Sequence, residues 1–485
     1  MLSSAASSQG IPAEGGNRFR GTEPRRIEDL EADRLFSSID LSGGAIVAVS
    51  GGSDSTALLL LLKDHIERHS PTVRLLAVTV DHALRAGSAV EADAVARFCA
   101  EHGIPHKTVR WDGPKPATGL PAAARTARYR LLGRAAREAG IGLVLTGHTA
   151  DDQAETVLMR QARAASAEAG PEADGRGLAG MAQATLYDGE MWIVRPLLGT
   201  RRADLRDWLA GQGAGWIEDP TNDNRTFERP RIRARLGDGA AAQFGQAMAT
   251  AERAASARID LGMRAAALIC AHARRPAPGL LRLAPAFAMA ADKQAAVYAL
   301  RILVAVAGGS SFLPDLARAE ALFSRICGWR GPDPLRATLS HAVVDRRSAG
   351  LFLHREGRDL PPAGSARDGM VWDGRYRITL GDDGGEFLIS AKRESAGAGA
   401  LPDTGRAPAS LVHAALAAEP VFSMEKQGSP SECPPASAQP VAAPFAHFLS
   451  GFDLAPARAV AELIGAAAIA APPLGSIGLK PWSKA

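Results

Sequence analysis

Ser50-Gly51-Gly52-Ser53-Asp54-Ser55 combines two glycines, three hydroxyls and one carboxylate in six residues. Glycine lets a backbone turn sharply and approach a ligand, so successive N–H groups can converge on phosphate oxygens at the positive end of a following helix. A carboxylate facing phosphates repels them unless a divalent cation stands between, and Mg²⁺ is commonly held by one or two carboxylates together with substrate phosphates. Asp54 is therefore assigned to metal. No Gly-Lys-Ser/Thr closes the loop, which argues against a kinase or GTPase. A second group, Gly147-His148-Thr149-Ala150-Asp151-Asp152-Gln153-Ala154-Glu155, offers an imidazole and paired acids. Two acids in the first turn of a helix have an ordinary explanation in the helix dipole. His148 and Asp152 become candidates for a reacting centre only if they reach the same edge as the loop, and Asp151 is expected to cap the helix.

Those positions follow from the elements around them. Ala45 to Val49 reads as a buried parallel strand, and Ala57 to Leu62 as an apolar helix, so Ser50 to Ser55 is a strand-to-helix phosphate loop. Leu75 to Val80, His106 to Arg110 and Leu143 to Thr146 read as further strands, with Ile193 to Leu198 as a fifth. Helical stretches alternate with them: Ser88 to His102 with a Ser88-x-x-Glu91 capping box, Pro121 to Ala139 carrying Arg125, Arg128 and Tyr129, and Arg202 to Gln212. Such alternation implies an α/β fold with a doubly wound parallel sheet, and in such sheets ligands bind at the carboxyl ends of the strands. Asp81 to Arg85 and His148 to Asp152 are expected there, beside the loop.

Residues 1–27 are expected to be a flexible tail, 28–236 the phosphate-loop domain, 237–331 a helical domain, and 332–485 a small α+β C-terminal region with a Pro/Ser/Ala-rich linker at 428–444. Residues 164–177 read as a loop inserted near the site. Arg229, Arg231, Arg233 and Arg235 alternate; as a charge pattern alone they form one solvated face, and their functional reading is phosphate contact with RNA.

Net charge is +4, with 46% hydrophobic and 22% charged residues, ordinary values for a soluble globular chain. The four cysteines, Cys99, Cys270, Cys327 and Cys433, form no C-x-x-C pair. A disulfide framework or zinc knuckle is thereby disfavoured, and a reducing cytoplasm is expected. The uncharged run from Leu463 to Leu479 is interrupted by Pro472 and Pro473, so no membrane span is expected.

The hexapeptide in its strand-loop-helix setting resembles the PP-loop ATP pyrophosphatases, whose signature is Ser-Gly-Gly-x-Asp-Ser. That resemblance implies ATP, with Mg²⁺, cleaved between its α and β phosphates. The succession of Asp81-His82-Ala83-Leu84-Arg85, Ala124 to Tyr129, His148 to Thr156, Gly177-Leu178-Ala179-Gly180-Met181, Arg195-Pro196-Leu197-Leu198 and Trp216 to Pro220 is similar to the tRNA(Ile)-lysidine synthase family. The resemblance covers residues from about 42 to 236. It implies a tRNA(Ile) with a CAU anticodon and free L-lysine as partners, the wobble cytidine being adenylylated and then attacked by lysine. By the same resemblance Arg128, His148 and Asp152 surround cytidine and adenylyl group, Glu155 is one candidate for the lysine ammonium, and Arg229, Arg231 and Arg233 contact tRNA. The chain departs from the family at Arg163-Ala164-Ala165-Ser166, where Arg-Gly-Ser-Gly is common, and at Pro230, where Asn is common. Rival readings are another PP-loop enzyme, either a tRNA thiolase or an amide-forming ligase, and a non-catalytic nucleotide- or RNA-binding protein.

Overall fold

Strand β1 (Ala45–Ala48) is the middle one of five parallel strands, and its alternation decides the layering. Ile46 points to one face, packing with Val78, Val144, Ile193, Leu132 and Tyr129, while Ala45 and Val47 join the core that holds Leu58, Leu59, Leu61 and Leu62 on the other. With both faces covered, the strand is apolar throughout. A computed structural model describes residues 32–85, 87–165, 175–218, 231–232, 241–381, 386–393, 407–424 and 436–475. The tail 1–27, residues 166–174 of the inserted loop, Arg229, Arg233 and Arg235, and residues 428–435 of the linker lie outside the described residues.

Around β1 the parallel strands are β2 (Leu75–Asp81), β3 (His106–Arg110), β4 (Leu143–Thr146) and a strand Met191–Val194, here β6, in the order β6-β4-β1-β2-β3. The intervening helices are α1 (Ala32–Phe36), α2 (Ser53–His69), α3 (Ser88–Glu101), α4 (Leu120–Ala139), α5 (Ala150–Ala165) and α6 (Arg202–Gly211). The order reverses between β1 and β4, so the switch point falls between the two loops singled out in the sequence.

Three local expectations are corrected. The fifth parallel strand is Met191–Val194, and Pro196–Gly199 is a 3₁₀ turn, because proline cannot donate to a ladder. It is preceded by an unforeseen antiparallel partner, β5 (Ala184–Tyr187). The Ser88-Glu91 capping box does not form: Gly87 is the N-cap, the Ser88 hydroxyl donates to the Arg85 carbonyl at 3.0 Å, and Glu91 pairs with Arg85 at 2.8 Å.

Beyond residue 240 a 32-residue helix, α7 (Ala241–His272), leads into a hairpin, Ala273–Ala277 and Leu280–Leu283, turned at Gly279 with φ +68°. This hairpin belongs to a five-stranded sheet completed by Leu335–Leu339, Ala342–Arg347 and Gly350–Arg355, so the stretch read as purely helical shares a sheet with the C-terminal region. Helix α8 (Lys293–Gly308) packs on that sheet and is buried along its length from Ala295 to Gly308. Residues Ala436–Pro440, inside the expected linker, form a strand paired with Tyr376–Leu380. The chain finally returns to the first domain: Phe448–Ser450 adds an antiparallel strand to β5, and helix Leu454–Ile464 lies on α7, where Pro456 would sit 3.3 Å from a Cβ at Gly262.

Candidate functional site

Gly51 turns the loop with φ +85°, a conformation that favours glycine, and its carbonyl accepts from the Ile217 N–H at 2.8 Å. A Cβ at Gly51 would lie 2.7 Å from Ile217 Cδ1, so the segment Trp216-Ile217-Glu218 is seated directly on the loop. The loop is braced internally: the Ser55 hydroxyl donates to the Gly52 carbonyl at 3.1 Å, and the Ser50 N–H donates to Ser55 Oγ at 3.2 Å. Gly52, the N-cap of α2, supplies no side chain, so the first amides of α2 are not capped from within, which is what an anion-binding helix start requires.

The tip of β4 touches this loop. A Cβ at Gly147 would stand 2.9 Å from the Asp54 carbonyl and from the Ser55 amide nitrogen, so only glycine allows the two loops this close. His148 and Asp152 are thereby delivered beside Ser50 to Ser55. Thr149 and Asp152 form a reciprocal cap at the start of α5: Asp152 Oδ2 accepts from the Thr149 N–H at 2.9 Å, and the Asp152 N–H donates to Thr149 Oγ1 at 3.5 Å. The cap expected of Asp151 is thus made by Asp152. Asp151 instead accepts from the Arg202 N–H at 2.7 Å, holding the first turn of α6 against α5.

Arg202 escaped the sequence reading. Its Nε donates to Asp54 Oδ2 at 2.8 Å, Nη2 donates to Asp152 Oδ1 at 3.2 Å, and Nη1 lies 3.7 Å from Glu155 Oε1. A signal was available, since the dipole disfavours cations at a helix N-terminus and Arg201-Arg202 opens α6. One guanidinium therefore collects three carboxylates from α2 and α5. Burial raises the Asp54 carboxyl above its usual range, assisted by Asp152 and opposed by Arg202. Burial would raise Asp152 too, but Arg202, His148 and the Thr149 bonds outweigh it and hold it low. Arg202 stays protonated because Asp152, Asp54 and Glu155 overcome the effect of its burial. Carboxylates already converging on a cation form a donor set that suits Mg²⁺.

Next to this cluster, Arg206 pairs with Glu218 at 3.0 Å and donates to Ser53 Oγ at 3.4 Å, tying α6 and the Trp216 segment to the loop. Gln153 is buried and grips the turn after Gly180 from both sides: its Oε1 accepts from the Met181 N–H at 2.8 Å and its Nε2 donates to the Met181 carbonyl at 3.1 Å. Asp81 organises its own turn, accepting from the Ala83 N–H at 2.8 Å. Arg128 on α4 is close enough for its charge to lower the pKa values of both His82 and His148. Of the arginines assigned to RNA only Arg231 is described, and it is exposed.

His148 Nδ1 lies 2.9 Å from Thr146 Oγ1. Burial, with Arg195 and Arg128 nearby, pushes its pKa down to about 3 against the attraction of Asp152, so the imidazole is neutral near pH 7. A histidine depressed in the folded state contributes stability that is present above its unfolded value near 6.5 and is lost as pH falls toward about 3. His148→Gln is therefore expected to lose less stability than the unsubstituted chain over that window, measured by urea unfolding. In parallel, the His148 ring resonance should not titrate through the 6.5 region.

A strand-loop-helix phosphate grip joined to acids from the neighbouring strand across the switch point is the arrangement of a PP-loop nucleotide-binding domain, and the PP-loop domain family matches residues 26–239. The tRNA(Ile)-lysidine synthase of Mesorhizobium japonicum is 57% identical over 456 residues, covering 92% of this chain and 98% of the relative. That of Brucella canis is 39% identical over 87% of this chain and 94% of its own. With likeness of that extent along nearly the whole length, the chain belongs to the tRNA(Ile)-lysidine synthase family. Among solved structures, the U34-tRNA thiolase NcsA from Methanococcus maripaludis aligns over 47% of this chain and 79% of its own, with TM-score 0.37 and 17% identity.

Proposed function

We propose that the chain ligates free lysine to C2 of the wobble cytidine in a CAU-anticodon isoleucine tRNA, using ATP and releasing AMP and pyrophosphate. The observation that carries this reading is the closure of Gly147 onto Asp54, which sets the phosphate loop against His148, Asp152 and Arg202 in a chain of this family. The cytidine O2 attacks the α-phosphorus of ATP, and pyrophosphate leaves from it. The lysine ε-nitrogen then attacks C2, sheds a proton, and the C2–O bond breaks to release AMP.

In this reading the amides of Ser53 to Ser55 and the Ser50 and Ser53 hydroxyls hold the phosphates. Asp54 would hold Mg²⁺, which when bound offsets charge on the departing pyrophosphate. Arg128 faces the adenylyl group from α4. His148, neutral near pH 7, acts by hydrogen bonding to the cytidine or the adenylyl oxygen. Asp152 offers the carboxylate for the α-ammonium of lysine, while Glu155, a candidate for that role by resemblance, is buried behind it against Arg202. The lysine ε-amine, ordinarily protonated up to about pH 10.4, must arrive neutral to attack. Arg231, with Arg229 and Arg233, contacts tRNA backbone.

The thiolase alternative finds no support at Cys99, which is fully buried in α3 and whose thiol burial pushes up to about 11. Among the described residues no helix is long and apolar enough to cross a membrane. The scattered cysteines and the tRNA substrate support a cytoplasmic location.

The test is incubation of purified protein with ATP, Mg²⁺, labelled lysine and unmodified CAU-anticodon isoleucine tRNA. Label entering the RNA only when ATP is present is the expected result. Pyrophosphate exchange with no transfer of lysine would point to a different acceptor.

A further inference from the structure

Asp453 lies on the returning C-terminal segment, far in sequence from the site, and is 3% exposed. Its carboxylate accepts from Arg176 Nη2 at 2.7 Å, from Arg258 Nε at 3.0 Å and again from Arg258 Nη2, and from the Tyr298 hydroxyl at 3.4 Å. The Arg176 guanidinium also covers the Tyr298 ring, 4.5 Å from its centroid. Four separate parts of the chain thus meet at one carboxylate: the 3₁₀ turn Arg176–Ala179, α7, α8 and the segment entering helix Leu454–Ile464.

What makes this more than a buried ion pair is the sequel to Arg176. The turn it opens runs directly into Gly180 and Met181, and Gly180 has φ +65° with a Cβ position only 2.6 Å from Gln153 Oε1. Met181 is held at both its N–H and its carbonyl by the Gln153 amide. Gln153 sits between Asp152 and Glu155 on α5, in the turn whose carboxylates face Arg202. The hydrogen bonds at both ends of this path are short and partly buried, and the turn between them is covalent, so a shift at Asp453 has few ways to dissipate before reaching α5.

We propose that Asp453 is a positioning residue for the reaction: through Arg176, the 177–181 turn and Gln153 it sets the placement of the α5 turn that carries Asp152 and Glu155. The C-terminal segment 448–464 is then a working part of the catalytic domain, adding a strand to its sheet and fixing one wall of its site. This rests on the lysine-ligating reading above. The phosphate loop stands on α2 and is braced by its own serines, so the chain of contacts predicts a selective defect.

The experiment compares the full chain with Asp453→Asn, Asp453→Glu and Gln153→Ala in lysidine formation with labelled lysine, varying lysine and ATP separately. Expected for Asp453→Asn and Gln153→Ala is a KM for lysine raised at least tenfold with a lower kcat, and a KM for ATP changed less than threefold. Asp453→Glu, which keeps the charge, is expected to recover part of the loss. Glu419→Gln, which loosens the separate pairing of Glu419 with Arg375 and Tyr376, serves as a control for general destabilisation and should leave lysine kinetics unchanged. If Asp453→Asn melts earlier yet its folded fraction keeps the original KM for lysine and kcat, Asp453 only holds the fold and the proposal falls. Should Asp453→Asn fail to fold, Gln153→Ala decides: unchanged lysine kinetics there overturn the proposal. An unsubstituted chain that makes no lysidine would instead refute the underlying reaction.

Discussion

Asp54→Asn is expected to lower lysidine formation by about a thousandfold or more while leaving the fold intact. The substitution keeps size and shape but removes the charge through which Mg²⁺ would be held against the triphosphate, so the loss should fall on pyrophosphate release. Stability argues in the same direction. Burial and Asp152 hold the Asp54 carboxyl above its usual value, so its ionised form is disfavoured in the folded chain. For a group raised in this way, the stability present below its unfolded value declines as pH rises through the folded one. At neutral pH, Asn therefore relieves an unfavourable burial, and Arg202 retains Asp152 and Glu155 as partners. A thermal melt within a few degrees of the unsubstituted chain, together with lost pyrophosphate exchange, is the expected pair of results. Retained exchange would remove Asp54 from the reaction.

The sheet was legible because its strands are short apolar runs punctuated by Gly, Ser and Asp, and because a parallel order places every strand's end on one edge. That geometry is enough to bring His148 and Asp152 to the edge that carries the phosphate loop. Single contacts were less legible. Asp151 and Asp152 are the same residue type one step apart, and only the relative placement of α5 and α6 decides that the first caps α6 and the second caps α5. Arg202 was hidden by its place in an ordinary amphipathic helix; what distinguishes it is the company of carboxylates 148, 50 and 47 residues away in sequence. The return of Phe448–Ser450 to β5 was invisible for a related reason. A three-residue strand has no periodicity to read, and its partner is fixed by the tertiary path of α7 and the helix after it.

Arg202→Ala separates the two parts this residue plays. Removing it leaves Asp54, Asp152 and Glu155 facing one another without the cation that offsets them, and Glu155 is 1% exposed. Stripping one partner from a buried ion cluster costs about 3–5 kcal/mol, and the partial exposure of Asp54 and Asp152 reduces the expectation here to about 2–3 kcal/mol. The sign with pH follows from the missing attraction. Arg202 lowers both Asp54 and Asp152, so without it their folded values rise, and stability present in acid is lost as pH rises through them. The gap between variant and unsubstituted chain should therefore be small in acid and widen toward neutrality. A gap of constant size in urea melts across that range would mean that packing, and not charge, is what Arg202 contributes. Adding Glu155→Gln to the variant should recover part of the loss, because one of the uncompensated charges is gone and the two sites share a partner. Millimolar Mg²⁺ should raise the melting temperature of Arg202→Ala more than that of the unsubstituted chain, since the cation then fills the role the guanidinium vacated. Activity should still fall by about a hundredfold, because Asp54 and Asp152 would no longer be held at a fixed spacing when substrate arrives.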